Sequence, residues 1–272
     1  MPGIAAARAS CASAQGQISN NLESTLNLLE VIAGEEWMLP GGLSYREKAA
    51  HLDHYNEIWG YQMIRAVDTW GGVYRADHEE AVSNLNSRAY IQALWSTNEP
   101  QITDVFLAGA DGTTLNYTVA VAVGGDAKNN GAVFAAIYDS EMRAILASQP
   151  AHTILLGKNQ QCMSGNDEEA LGATLESGLE GKRVLGESLE AALLRAKNEE
   201  SGIIWFLNGL VPTCYAFQNV GRESGWTVLA SVSYADVLGE LAPVTVISAL
   251  GAIAALAAFM LLRRAQEKAA AA

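Results

Sequence analysis

Hydrophobic positions in the first part of the chain fall at helical intervals. Ile18, Leu22, Leu26, Leu29 and Ala33 recur at spacings of four, four, three and four, which draws one apolar stripe down a helix over 15–33. Gly34 is a stop, and Pro40-Gly41-Gly42 is a break. Ser44 followed by Glu47 is a capping box. It opens a second helix with Leu52, Tyr55, Trp59 and Met63 on one side, running to about Ala66. Trp70-Gly71-Gly72-Val73-Tyr74-Arg75 reads as a short strand after a turn. His78 to Trp95 reads as a helix, with Ala81, Leu85, Tyr90 and Leu94 spaced for burial.

The period then changes. Ile102 to Leu107 and Thr113 to Val123 are rich in Val, Thr and aromatics and are joined through Ala110-Asp111-Gly112, a hairpin signal. Ala132 to Tyr138 is another strand, and Asp139 opens a helix to about Ala147. From Pro150 the grammar repeats. A strand pair spans His152 to Met163, and acidic, Gly-punctuated helical sequence follows from Asp167 to Ala196. Three strands come next: Ile203 to Leu207, Thr213 to Val220 and Trp226 to Ser233.

The run from Ala242 to Leu262, APVTVISALGAIAALAAFMLL, carries no charge and is followed by Arg263 and Arg264. As a helix it rises about 31 Å, which matches the hydrocarbon core of a bilayer. With Lys268 against Glu267, the tail is basic, so the positive-inside rule puts it in the cytoplasm and everything before Ala242 outside. Ser248 with Ala252, and Gly251 with Ala255, have the small-xxx-small spacing that permits a homodimer through this helix. The opening MPGIAAARASCASA is too short in apolar residues for a secretion signal. It reads as a boundary that lacks an upstream membrane helix, and the C-terminal end as one that lacks an output domain.

The formal net charge is −13. Such a surface repels phosphate backbones and argues against a nucleic-acid partner. The three cysteines, Cys11, Cys162 and Cys214, fit neither a disulfide framework nor a zinc site. Cys162 and Cys214 form either one bridge or two buried thiols in separate strands. His51-Leu52-Asp53-His54 places two imidazoles near one helix face without further ligands, so it reads as a solvated polar face. Asp77, His78, Glu79 and Glu80 read as an acidic helix start. The chain carries no Gly-x-Ser-x-Gly elbow, phosphate-binding Gly-Lys-Ser/Thr loop or zinc-protease pair. No catalytic residue, metal or cofactor is therefore assigned.

The stretch SNLNSRAYIQALWSTNEPQITDVFLAGADGTTLNYTVAVAV, with GAVFAAIYDSEMRAIL after it, resembles the membrane-distal part of a double Cache sensor domain. ESGWTVLASVSYADVL, just before the membrane run, resembles the membrane-proximal Cache module. The resemblance implies an α+β fold of tandem PAS-like modules behind a long N-terminal helix and ahead of one transmembrane helix. Residues 15–148 would form the helix and distal module, 149–241 the proximal module, 242–262 the membrane helix and 263–272 a cytoplasmic tail. It further implies an extracytoplasmic small-molecule sensor of a chemoreceptor, histidine kinase or diguanylate cyclase, with the ligand in the distal module. The amino-acid-binding subset of these sensors uses Arg-x-Trp-Tyr, Tyr-x-Asp and a later Asp. Arg88 and Asp104 match that pattern. Tyr90, Ile91 and Ile102 depart from it, and the later Asp would fall near Ala136, with Asp139 close by.

The expected ligand set is Arg88, Tyr90, Trp95, Asp104, Tyr117 and Asp139. An Arg holds a carboxylate bidentately, Asp104 would take an amine, and Tyr90 and Trp95 offer apolar walls with a polar edge. The ligand is thus expected to bear a carboxylate or an amine. The competing structural reading is an Arg88–Asp104 ion pair closing helix onto sheet. A membrane-anchored extracytoplasmic enzyme is the alternative function, and a partner-binding ectodomain with an empty pocket is a third.

Overall fold

The computed structural model describes residues 2–108, 113–165, 171–221 and 224–233. Helix α1 (Pro2–Gly34) is 33 residues long, about 50 Å at 1.5 Å per residue. It begins well before the expected start at Gln15. The apolar stripe continues N-terminally in small residues: Ala7, Cys11 and Ala14 keep the spacing of Ile18 and Leu22, and all five are buried.

Helix α2 (Tyr45–Trp59) begins with the expected capping box between Ser44 and Glu47. It stops at Gly60, in a left-handed conformation (φ 68°) that returns its N–H to the Asn56 carbonyl. The residues expected to continue it instead form strand β1 (Met63–Val67). Strands β2 (Gly72–Val73) and β3 (Ser83–Asn84) follow. The expected helix from His78 is confined to α3 (Ala89–Thr97). Before it, the chain is held as a sheet edge: the Val82 N–H bonds to the Val73 carbonyl and the Leu85 N–H to the Gly71 carbonyl, both at 2.8 Å. The Asp68 carboxylate fixes the intervening turn by accepting from the Trp70 and Gly72 N–H groups and the Tyr74 hydroxyl.

Strands β4 (Gln101–Ile102), β5 (Phe106–Leu107), β6 (Leu115–Ala122) and β7 (Ala132–Tyr138) complete the first sheet, with the short helix α4 (Ala127–Asn130) between the last two. The Ala110-Asp111-Gly112 turn lies outside the described residues. After α5 (Ser140–Ala147) come β8 (Thr153–Leu156), β9 (Cys162–Gly165), α6 (Leu175–Leu179), β10 (Arg183–Val184) and α7 (Leu189–Asn198). Strands β11 (Ser201–Asn208), β12 (Val211–Gly221) and β13 (Trp226–Ser233) end the described chain. The continuous helical sequence expected over 167–196 is therefore broken by a strand, and 166–170 are not described.

Among the described residues the strands form two antiparallel sheets, ordered β3-β2-β1-β7-β6-β4 with β5 on β6, and β10-β11-β12-β13-β8-β9. The two share a plan in which the opening long strand (β1, β8) lies beside the closing one (β7, β13). α1 packs against one face of both sheets. Ile64, Tyr117, Val119, Val121, Val133 and Ile137 come from the first sheet, and Cys214, Ala216, Trp226, Val228 and Ala230 from the second, into one core with the helix.

The three cysteines are buried. β13 and β8 separate Cys214 on β12 from Cys162 on β9, so the two do not pair. Burial pushes Cys11 up to about 12 and Cys214 up to about 11, which keeps both protonated and unreactive. His51 stacks on Trp37. No helix among the described residues is long and apolar enough to cross a membrane; the 242–262 run lies outside them.

Two left-handed glycines give a stability test. Gly131 (φ +84°) ends α4 with a hypothetical Cβ 2.2 Å from the Val67 carbonyl oxygen, whereas Gly125 (φ +74°) has nothing within 4 Å. In urea denaturation, Gly125→Ala is expected to cost about 1 kcal/mol for backbone strain alone. Gly131→Ala should cost about 3 kcal/mol, because β1 must also move off β7. Equal losses would show that the close approach is unimportant.

Candidate functional site

Period-2 alternation gives the first sheet two unlike faces. On β6, Tyr117, Val119 and Val121 turn toward α1, which sends Asn116, Thr118 and Ala120 to the other side. Antiparallel register lines these up with their neighbours: Thr118 and Met63 flank Ala136, and Ala120 and Arg65 flank Phe134. Met63, Arg65, Thr118, Phe134 and Ala136 of those rows form the floor of a cavity of about 630 Å³, within the range usual for small-molecule sites. Val73 and Arg75 close one side, the 82–85 stretch the second, Arg88 and Tyr90 of the α3 start the third, and Phe106 with Ala108 the fourth.

Three arginines line this space. Arg65 bonds Asp53 at 2.7 Å and the Ile64 carbonyl at 2.8 Å, and its side chain is only 16% exposed. Arg75 pairs with Asp77 at 2.8 Å. Arg88, the residue at the α3 N-cap, makes no ion pair among the described residues. No Asp or Glu lines the cavity among the described residues. Tyr90 is pushed up to about 12 by burial, which outweighs the opposing Arg88 charge. Its phenol therefore stays a neutral O–H donor at physiological pH. Asn116 donates through Nδ2 to Gln62 Oε1, while its own buried Oδ1 has no partner. The apolar share of the lining includes Met63, Val73, Leu85, Phe106 and Phe134.

Of the six expected site residues, the structure brings Arg88 and Tyr90 together here. Tyr117 lies on the opposite face of β6, fully buried and edge-on to Trp226 at 5.4 Å. Trp95 packs beside the Ile91 and Leu94 cluster, with a buried Nε1 that has no partner. Asp139 is buried, and it pairs with Arg143 at 2.7 Å. Asp104 forms no pair with Arg88. It accepts from the Trp226 indole at 2.9 Å and from the Lys158 N–H at 3.1 Å, while Lys158 Nζ reaches the Ile102 carbonyl at 2.6 Å. That carboxylate fastens the first sheet to the second. A Cβ on Gly157 would sit 2.6 Å from it, so the turn before β9 fits closely around it.

Among the cavity residues missed from sequence are Arg65, Arg75, Asn116 and Thr118. Asn116 and Thr118 left a legible signal, as polar residues alternating with apolar ones inside a buried strand. Arg65 did not, because its segment was read as helix.

No protein-family model matches this sequence, and neither does any curated protein. Solved structures do. The ligand-binding domain of the Campylobacter jejuni chemoreceptor Tlp3 in complex with L-valine is similar with a TM-score of 0.59 at 14% identity, covering 84% of this chain and 90% of that one. The ligand-binding domain of the Pseudomonas fluorescens chemoreceptor CtaA in complex with L-isoleucine gives 0.66 at 13%, covering 86% and 93%. The extracellular domain described for the histidine kinase mmHK1S-Z2 gives 0.67 at 9%, covering 88% and 100%. At these identities the likeness is one of fold. The chain shares the fold of these receptor sensor domains.

Removing the inter-sheet carboxylate by Asp104→Ala leaves the Lys158 N–H and the Trp226 indole without an acceptor. A loss of about 2–3 kcal/mol is expected, with a red shift of Trp226 emission, and Asp104→Asn should cost less. Unchanged stability would mean that the junction is not a structural tie.

The tyrosines set an alkaline limit. Tyr74, bonded to Asp68, and buried Tyr90 are both raised from 10.0 to about 12. Between those values the folded state holds protons that the unfolded state has released, so stability falls as pH rises above 10. Denaturation midpoints measured from pH 8 to 11.5 should be level and then decline, and Tyr90→Phe should soften the decline.

Proposed function

We propose that this chain is the small-molecule sensing region of a transmembrane signal-transduction receptor. In this reading it is a tandem of PAS-like Cache modules held outside the cytoplasm by a membrane helix over 242–262. The carrying observation is the cavity on the outer face of the first sheet, where an Arg without an ion pair, a neutral Tyr and a polar strand face meet apolar walls. The likeness in fold to chemoreceptor and histidine kinase sensor domains supports it. So does the order of the sequence, in which β13 precedes the charge-free run and its basic flank. The ligand enters the cavity, and its contacts with α3 and the 106–108 segment bias the arrangement of the two sheets. A bound small molecule shifts such an equilibrium only through its differential affinity for the two arrangements.

Thermal denaturation of the purified full chain against a library of small organic acids, amino acids and sugars tests the site. At least one compound should raise Tm by mass action. Arg88→Ala should abolish that shift while moving the unliganded Tm by no more than about 2 °C, since this exposed side chain has no ion pair to lose. A shift that survives the substitution would place the ligand elsewhere.

Topology is tested separately. Leu210, 94% exposed in the β11–β12 turn, is replaced by Cys; the native thiols are buried. An impermeant maleimide should label Leu210→Cys in intact cells that export the chain. Protection until lysis would overturn the outside placement.

A further inference from the structure

We infer that the ligand is an organic acid with one negative charge, an apolar body and no ammonium group. This rests on the cavity reading above and narrows it. The sequence left a carboxylate and an amine open, and the carboxylates expected to hold the amine are engaged elsewhere. Asp104 is taken up by Lys158 and Trp226 at the junction of the sheets, and Asp139 by Arg143. Among the described lining residues none is acidic, while three are arginines. An ammonium entering this space would lose its water, find no counter-charge among the described lining residues and meet repulsion from the arginines.

The same accounting fixes the anionic charge. Arg65 and Arg75 are each balanced by a carboxylate just beyond the cavity, Asp53 and Asp77. Among the described residues, Arg88 alone of the three has no such partner. One excess positive charge suits one carboxylate, gripped by the Arg88 fork and by the O–H of Tyr90, which burial keeps protonated. The unpartnered Asn116 Oδ1 accepts one hydrogen bond, enough for a ligand hydroxyl. A neutral amide oxygen does not offset a buried ammonium. Phe106, Phe134 and Leu85 provide the surface for the apolar body. The structurally similar Tlp3 and CtaA domains hold valine and isoleucine; here the fold is shared, and the acidic half of an amino-acid site is missing from the described lining.

Two isosteric pairs isolate the ammonium group. The purified full chain is titrated calorimetrically with 4-methylpentanoate against L-leucine, and with 3-phenylpropanoate against L-phenylalanine. Phenethylamine serves as the amine without an acid. At least one acid should bind, more tightly than its amino acid by an order of magnitude or more, and phenethylamine should not bind. Arg88→Ala should abolish acid binding, Arg88→Lys should retain part of it, and Tyr90→Phe should weaken it several-fold. An amino acid that binds as tightly as its acid, and loses affinity with Arg88→Ala, overturns the ligand class while leaving the site in place. Failure of both acids to bind at millimolar concentration also overturns the class. A probe whose affinity ignores Arg88→Ala overturns the site itself.

Discussion

The burial of α1 against both sheets is the constraint on which the rest of the structure depends. Ile18, Leu29 and Ile32 have no exposed surface, and each such side chain contributes about 1.5–3 kcal/mol when fully buried. The N-terminal half of the helix contributes differently. Ala7, Cys11 and Ala14 are small, and they cross β12 and β13 where those strands carry Cys214, Ala216 and Ala230. Small against small lets the backbones approach until Cys11 Sγ lies 3.4 Å from the Ala216 carbonyl and Ser19 Oγ 2.6 Å from that of Val220. One face of each sheet is thereby consumed.

What remains is the outer faces, and they are treated differently. On the second sheet, Leu175, Leu179, Ala192 and Ala196 of α6 and α7 pack onto Ile204, Phe206 and Phe217 and fill the space. On the first, α3 covers only part of the face, with Ile91 and Leu94 over Val67, Ala120 and Phe134. The part it leaves is the cavity. Asp104 keeps these two differently finished sheets in register, because the segment that supplies Phe106 and Ala108 to the cavity wall also ends in the carboxylate held by Trp226 at the start of β13.

Much of the fold was legible in sequence because long periodic segments carry their own signal. The stripe from Ile18 to Ala33, the Ser44–Glu47 box and the strands at 132–138 and 226–233 stand as read, and the strands read over 113–123, 203–207 and 213–220 are present with shifted ends. The failures have separate causes. Met63 continued a helical spacing across Gly60, which hid β1. Alanine and cysteine carry too weak a hydrophobic contrast to mark the first turns of α1. Ala81 and Leu85 sat at helix-like intervals in a stretch whose N–H groups are claimed by a sheet edge. The site was less legible than the fold. A resemblance supplies residue types near a pocket, but face parity decides which of them enter it, and parity turned Tyr117 inward while delivering Asn116 and Thr118.

Charge distribution then explains how an acidic protein can present a cationic cavity. A net charge of −13 suggests repulsion of any anion, but ions screen exposed charges beyond about 8–10 Å at physiological salt. Within the cavity the nearest groups decide. A carboxylate about 4 Å from a guanidinium gains about 4 kcal/mol at an effective dielectric constant of 20, more than distant, screened acids remove. Asp53 and Asp77 also act locally, by holding Arg65 and Arg75 in place and cancelling most of their excess charge. The result is a polar floor and apolar walls with one cation, Arg88 at the α3 N-cap, that has no carboxylate partner among the described residues. In the proposed reading, selectivity against amino acids needs no steric filter, because the carboxylates that would receive an ammonium are committed, Asp104 to Trp226 and Lys158 between the two sheets and Asp139 to Arg143.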